Sequence, residues 1–457
     1  MVLLQFFTAK IAHSSYILAG NKTCAVVDPR RDVQVYIDTA RSLGCTITHV
    51  LETHLHADFI SGHLDLAEKT GATIYAPDMG KCSFEHVPVS EGNEIALEDM
   101  VLRVLDTPGH TPEHVSYAVI DTSRGMEPAG VFCGDTLFVG DVGRPDLFPG
   151  RARELATALY HSLHDKLLRL PDYCEVYPAH AAGSLCGRFM ASKRQSTIGY
   201  ERRYNPALQI NDKEAFIASL TNDMPPAPDH FGRCSAINSG GPALVSSLPS
   251  PRPLPPADFS KMAARDDTVI VDTRSYAAFG GQHHAGAFSV NLQANFPTFA
   301  GWVVPPDKDI LLVTSGGSEV PEAVEWLRRV GLDRTIGFLN GGTPASASAG
   351  LPLQHIPQVC SQELRDIVQH GTSILVDVRA KSEYDTGHIK GAINIPFADL
   401  RTRYAELDPA AETVVICSSG NRSSLGASIL AQKGFTNVKN AAGGVAGYLA
   451  ARFPLES

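Results

Sequence analysis

Two histidines and an aspartate fall within five residues in Thr53-His54-Leu55-His56-Ala57-Asp58-Phe59, and imidazole and carboxylate at this spacing are the makings of a metal site. Three later segments carry residue types of the same kind. They are Thr107-Pro108-Gly109-His110-Thr111-Pro112-Glu113-His114, Val131-Phe132-Cys133-Gly134-Asp135-Thr136 and Val176-Tyr177-Pro178-Ala179-His180. A different chemistry stands far down the chain, in Cys417-Ser418-Ser419-Gly420-Asn421-Arg422-Ser423. There a strand-to-helix turn would aim successive backbone N–H groups and a helix dipole at the cysteine sulfur, favouring a thiolate that attacks sulfur and holds a persulfide.

Each of these segments needs a strand to place it. Residues 47–51, Ile-Thr-His-Val-Leu, read as a buried strand, so the two histidines fall on the loop leaving a sheet edge. Residues 1 to about 130 alternate short apolar strands (16–19, 24–28, 73–76) with helical stretches at 33–43 and 62–69, an α/β layered pattern. Leu155, Leu159, Leu163 and Leu167 recur at helical spacing and predict a helix packed on the sheets. From 224 to 258 the composition changes, with nine prolines between positions 225 and 256. That predicts a semi-rigid linker rather than helix or central strand.

Beyond it lies an internal repeat. Asp272-Thr273-Arg274 and Asp377-Val378-Arg379 both end an apolar run, and each is followed fourteen residues after its aspartate by a turn glycine, Gly286 and Gly391. A second pair of runs, 310–314 and 413–417, opens a loop and helix in each copy, and each copy closes on a Gly-Gly pair, Gly341-Gly342 and Gly443-Gly444. Strand, crossover helix and strand imply parallel-sheet α/β domains of about 100 residues each. The expected division is therefore 1–235, a linker at 236–257, then 258–352 and 353–457. Asp272 with Arg274, and Asp377 with Arg379, read as structural pairs.

Bulk properties narrow the partners. A net charge of -10 with no basic run argues against nucleic acid. No apolar stretch reaches the ~18 residues of a membrane span. The apolar N-terminus lacks a basic region or cleavage site and reads as a first strand rather than a leader. Nine cysteines, an odd number without repeating spacing, look like reduced cytoplasmic thiols.

The four loops in this order resemble the metallo-β-lactamase superfamily over roughly residues 1–235, which implies an αββα sandwich. Two-metal members carry His-x-His-x-Asp-His, and here the last position is Phe59, which cannot ligate. His-x-His-Ala-Asp-Phe-x-Ser-Gly is similar to the persulfide dioxygenase branch, the family of the ethylmalonic encephalopathy protein. That resemblance implies one Fe(II) per chain held by His54, His110 and Asp135, with three adjacent positions open to persulfide sulfur and O2. It also implies that His56, Asp58 and His180 lie around the iron as hydrogen-bond donors or proton carriers. Arg144, in a Gly-Arg-x-Asp segment, would either bind a carboxylate of the thiol carrier or pair with Asp146. Cys186 follows His180 closely enough to face the iron pocket as a catalytic thiol. His63, His114, His161 and His164 have no partner set and read as ordinary core or surface histidines.

The loop from Cys417 resembles rhodanese sulfurtransferases. Cys417 is then the persulfide carrier, Arg422 its catalytic cation, and Ser418, Ser419, Gly420 and Asn421 the cradle. Four residues between Cys and Arg, against five in related phosphatases, favour sulfur over phosphate. In the first copy Thr314 stands at the cysteine position, and a hydroxyl cannot carry a persulfide, so that copy resembles an inactive rhodanese serving spacing, docking or oligomerisation. The order resembles bacterial sulfide-detoxification fusions. It implies that a thiol persulfide and O2 give sulfite, which Cys417 converts to thiosulfate, in a cytoplasmic homo-oligomer. Glutathione, coenzyme A, cysteine and inorganic sulfide stand equal as carriers. Two other readings stay open: a thioester hydrolase like glyoxalase II, and a non-catalytic sulfur relay or sensor.

Overall fold

The computed structural model describes every residue except Asp223, Pro225, Pro226, Thr372 and Ser457. Two compact units result, residues 1–248 with 328–331, and residues 249–327 with 332–457. Pro225 and Pro226, in the proline-rich stretch that precedes the expected linker at 236–257, lie outside the described residues.

In the first unit one six-stranded sheet is formed by Val2–Thr8 (β1), His13–Ala19 (β2), Thr23–Val27 (β3), Thr46–Leu51 (β4), Thr73–Pro77 (β5) and Val87–Val89 (β6), paired in that order. The second is built from Glu94–Leu97 (β7), Met100–Asp106 (β8), Val115–Asp121 (β9) and Gly130–Gly134 (β10). After a two-strand ribbon, Leu137–Phe138 (β11) and Asp141–Val142 (β12), it is completed by Glu175–Pro178 (β13) and Ser196–Thr197 (β14). Its spatial order is β14-β13-β10-β9-β8-β7.

The apolar runs are continuous rather than alternating because both faces of these sheets are covered. Along β2, Tyr16 and Leu18 join Leu51, Val104, Tyr117 and Phe132 in the core between the sheets. Ile17 and Ala19 instead meet Tyr36, Ala40 and Leu66 of the helices Gln34–Leu43 and His63–Thr70. Leu159, Leu163 and Leu167 pack under the other sheet against Val131 and Val176. The layering is thus helix, sheet, sheet, helix, as the sequence predicts.

Register decides which residues emerge together. Val27 of β3 lies opposite Leu51 of β4 in a parallel pair, so Asp28 and Glu52 leave the sheet side by side. Gly134 of β10 lies opposite Pro178 of β13, which brings Asp135 beside the turn to His180.

The proline-rich stretch is more ordered than its composition predicts. It contains the helix His230–Gly240, which holds no proline, and the strand Arg252–Leu254. That strand includes Pro253 but is an edge strand, where a missing N–H is tolerated. In the second unit it opens a five-stranded sheet in the order Arg252–Leu254, Thr335–Leu339, Asp309–Val313, Thr268–Asp272, Phe288–Ser289. The second copy repeats this order with Gln358–Val359, Val438–Ala441, Thr413–Ile416, Ile374–Asp377 and Ile393–Asn394. All the pairings in both sheets are parallel. Among the described residues no helix is long and apolar enough to cross a membrane.

Candidate metal centre and sulfur-transfer loop

His54, His110 and Asp135 converge from three loops, with one donor atom from each within 4.8 Å of the others and all three buried. His110 Nε2 lies 3.3 Å and His54 Nε2 3.8 Å from Asp135 Oδ2, yet neither nitrogen makes a hydrogen bond. Buried polar atoms are seldom left unpaired. Two bare imidazole nitrogens facing a carboxylate therefore fit a metal ion, and two histidines with one carboxylate are a donor set of the kind that holds non-haem iron.

The opposite nitrogen of each ring explains why these lone pairs are free. Thr53 donates its hydroxyl to Asp28 Oδ2 (2.9 Å) and its N–H to Asp28 Oδ1 (2.8 Å), so its oxygen accepts from His54 Nδ1 at 2.9 Å. His110 Nδ1 donates to the Arg144 carbonyl at 2.9 Å. Both protons are thereby fixed on Nδ1, leaving Nε2 to ligate. Burial, followed for His54 by the neighbouring His56, lowers the pKa of both rings and keeps them neutral. Thr53→Val should loosen the metal about 10- to 100-fold, as read by chelator competition; unchanged affinity would remove Thr53 from this account.

Asp135 is held from both ends. Its N–H donates to His114 Nε2 at 3.0 Å, and its Oδ1 accepts from His180 Nδ1 at 2.8 Å. Burial would raise its pKa, but His180 and His110 outweigh burial and hold it well below the usual carboxylate range. His180 shows the reverse balance: burial lowers it, while Asp135 and Asp58 together raise it well above an ordinary histidine. Its Nε2 lies 2.9 Å from Asp58 Oδ2. His180 and Asp58 are thus brought to the centre. His56 instead turns its Nε2 to within 3.2 Å of Asp28 Oδ1.

Phe59 is fully buried, with its ring centroid 4.1 Å from that of His13 and 4.4 Å from that of His56. Gly143 lies where a side chain would not fit: a Cβ there would stand 1.9 Å from the Asp135 carbonyl and 3.1 Å from the His110 Cβ. Gly143→Ala should cost about 1–3 kcal/mol and lower the metal content, read by denaturant unfolding and elemental assay. Wild-type stability and occupancy would contradict this.

Arg144 and Cys186 lie beside the centre. Arg144 is buried, its fork spent on Asp146 at 2.7 Å twice and on the Leu185 carbonyl at 3.0 Å. This is the ion pair with Asp146 that the sequence left open beside ligand binding. Cys186 meets Asp58 and His180, and burial, then Asp58 and Asp135, push its thiol well up.

The sequence reading missed His114, which it took as an ordinary histidine. Its pKa is lowered to about 3 by burial and then His110, and it accepts the Asp135 N–H while facing Thr107 and Thr136 hydroxyls through Nδ1. Its four-residue spacing from His110 was the available signal. Asn238 was missed as well. From the helix inside the proline-rich stretch it donates to the carbonyls of His56 and Phe59, both at 2.8 Å, and accepts the Ser61 N–H.

In the second unit Cys417 is buried at the end of Thr413–Ile416, and its Sγ accepts from Gly420 N–H at 3.2 Å, with Ser423 Oγ at 3.4 Å. The loop is pinned from beneath, Val445 N–H donating to the Cys417 carbonyl and Ala446 N–H to that of Ser418. Gly444 permits this contact: its φ is +57°, and a Cβ would meet the Cys417 carbonyl at 2.2 Å. Arg422 forks onto Glu383 at 2.6 and 2.8 Å and donates to Ser418 Oγ at 2.7 Å. The Arg422 hydrogen bonds hold Glu383 down to about 2. Ser419 is exposed, and Asn421 Oδ1 accepts from Asn291 of the first copy at 3.0 Å. In that copy the Thr314 hydroxyl donates to the Gly316 carbonyl. The two Asp-x-Arg pairs close as forks, Arg274 on Asp272 and Arg379 on Asp377, each with a 2.6 Å contact.

Comparison with known proteins gives matches in both parts of the chain. The family model for the Metallo-beta-lactamase superfamily matches residues 10–180, and that for the Rhodanese-like domain matches 255–349 and 361–451. A Mus musculus protein named "Persulfide dioxygenase ETHE1, mitochondrial" is 29% identical over 238 residues, 50% of this chain and 85% of its own. A "Hydroxyacylglutathione hydrolase" of Pseudomonas entomophila is 30% identical over 191 residues, covering 42% of this chain and 70% of that protein. The crystal structure of a "Metallo-beta-lactamase" from Staphylococcus aureus subsp. aureus COL superposes with a TM-score of 0.67 at 33% identity. It covers 74% of this chain and 98% of its own.

Proposed function

Since this chain belongs to the metallo-beta-lactamase superfamily and continues into two rhodanese-like domains, we propose that it oxidises a low-molecular-weight thiol persulfide to sulfite with O2. Sulfane sulfur carried on Cys417 then converts sulfite to thiosulfate. The observation that carries the first half is the convergence of His54, His110 and Asp135, with Phe59 at the motif position where two-metal relatives have another imidazole. One ferrous ion held by these three would supply adjacent open positions for persulfide sulfur and dioxygen.

The protein's own groups do the rest. The neutral rings of His54 and His110 and the charged Asp135 would hold the ion, while Thr53, Arg144 O and His114 keep them oriented. His180, whose pKa Asp135 and Asp58 raise against burial, is placed to hold a proton at Nε2 beside Asp58. Phe59 and the apolar cluster of Ala57, Phe138, Cys186 and Phe231 limit water. At the other site the Cys417 sulfur attacks the outer sulfur of a persulfide donor, whose S–S bond breaks and whose thiol leaves; sulfite then attacks the sulfur held on Cys417, breaking that S–S bond to release thiosulfate and restore the Cys417 sulfur. The Gly420 N–H steadies the sulfur charge throughout. Nine free thiols support a reducing compartment such as the cytoplasm.

The second reading is thioester hydrolysis, favoured by the hydrolase relatives and by the three-donor set Asp58, His180 and Cys186. Anaerobically purified protein should consume O2 with glutathione persulfide and leave S-lactoylglutathione intact. Thioester hydrolysis without O2 uptake would overturn the oxygenase reading.

A further inference from the structure

The register that sets Asp28 beside Glu52 builds a second cluster. His56 Nε2 lies 3.2 Å from Asp28 Oδ1 and 3.8 Å from Glu52 Oε2, and the three donors fall within 4.8 Å of one another. His63, at the start of its helix, adds Nδ1 3.4 Å from Glu52 Oε1. All four side chains are buried, at 2% exposure or less.

Neither ring nitrogen of His56, and neither of His63, makes a hydrogen bond. His56 Nε2 stands within reach of both carboxylates, 3.2 Å from Asp28 and 3.8 Å from Glu52, without an aligned hydrogen bond to either. Ions with bonds of ~2.0–2.2 Å hold neighbouring donors about 3.0–3.5 Å apart, close to these separations. The iron centre has the same appearance, with bare Nε2 atoms 3.3 and 3.8 Å from a carboxylate. Two enclosed carboxylates also require positive charge beside them.

We propose that Asp28, Glu52 and His56, with His63 as a fourth donor, form a second divalent-cation site of the borderline class that takes zinc or manganese. It is separate from the His54–His110–Asp135 centre and from the Asp58–His180–Cys186 set. Its place indicates its use. Asp28 and Glu52 close the ends of β3 and β4, Ser61 donates to Glu52 at 2.5 Å, and Asp28 holds Thr53. An ion here clamps both ends of the loop that presents His54.

The test uses the full chain, stripped of metal, reloaded anaerobically with Fe(II) and titrated with Zn(II), with metals counted per chain. Wild type should bind zinc in addition to iron. Glu52→Gln should weaken zinc at least about 10-fold while keeping the ferrous-nitrosyl EPR signal of the first centre, and Asp58→Asn should bind both ions. Should Glu52→Gln not fold, zinc X-ray absorption of wild type still decides: nitrogen and oxygen neighbours support the site, whereas a sulfur neighbour puts the ion at Cys186 and overturns it. Wild type that takes up no zinc beside its iron also overturns it, leaving His56 as an imidazolium between two carboxylates. Loss of zinc in Asp58→Asn alone would do the same. A missing nitrosyl signal in wild type would count against the ferrous reading only.

Discussion

His110→Ala should lose its iron and lower persulfide-dependent O2 uptake by more than about 100-fold, while cyanide-accepting sulfur transfer through Cys417 continues at the wild-type rate. Losing an outer partner of a ligand costs 10- to 100-fold, and on the proposed reading a ligand itself goes. The remaining donors cannot compensate, because His180 is already engaged by Asp135 and Asp58, and His56 is turned to Asp28. Removing His110 also withdraws one of the two largest influences that keep Asp135 ionised against burial. The sulfur-transfer loop belongs to a unit with its own sheets and core. Atomic absorption and an oxygen electrode read the outcome. Full iron with an unchanged rate would show that the three residues are not the ligand set.

Cys417→Ser should abolish sulfur transfer, by on the order of 10^4-fold or more as expected for loss of a covalent nucleophile. The hydroxyl still fits beneath Gly420 N–H and Ser423, so the loop should fold unchanged, and the loss is chemical rather than structural. O2 uptake should stay intact, with the product shifting from thiosulfate to sulfite. Equal thiosulfate from variant and parent would refute the role of Cys417. The silent copy offers a natural control, since Thr314 spends its hydroxyl on the Gly316 carbonyl.

Much of this was legible in the chain because the informative signals were local. Apolar runs ending in His, Asp or Cys marked strand ends, and the tandem Asp-x-Arg and Gly-Gly pairs marked a repeat whose two sheets have the same strand order. What escaped were partners joined only by the fold. Thr53 orients His54 through Asp28, 25 residues away, and Asn238 reaches the loop from 182 residues off. The prolines around that helix hid it, although none lies inside it. Arg144 could equally have bound a ligand or Asp146 on sequence alone; burial decided for Asp146. His56 packs its ring 4.1 Å from that of His54, and the register of β3 and β4 also brings its Nε2 to the carboxylates of Asp28 and Glu52, which the sequence did not show.

The most direct test of the oxygenase account is EPR of the anaerobic full-length protein after nitric oxide, with elemental analysis of the same sample. One iron per chain with a high-spin ferrous-nitrosyl signal that disappears in Asp135→Asn is the predicted result. No nitrosyl signal, with zinc shared between Asp135 and the Asp58–His180 pair, would contradict it.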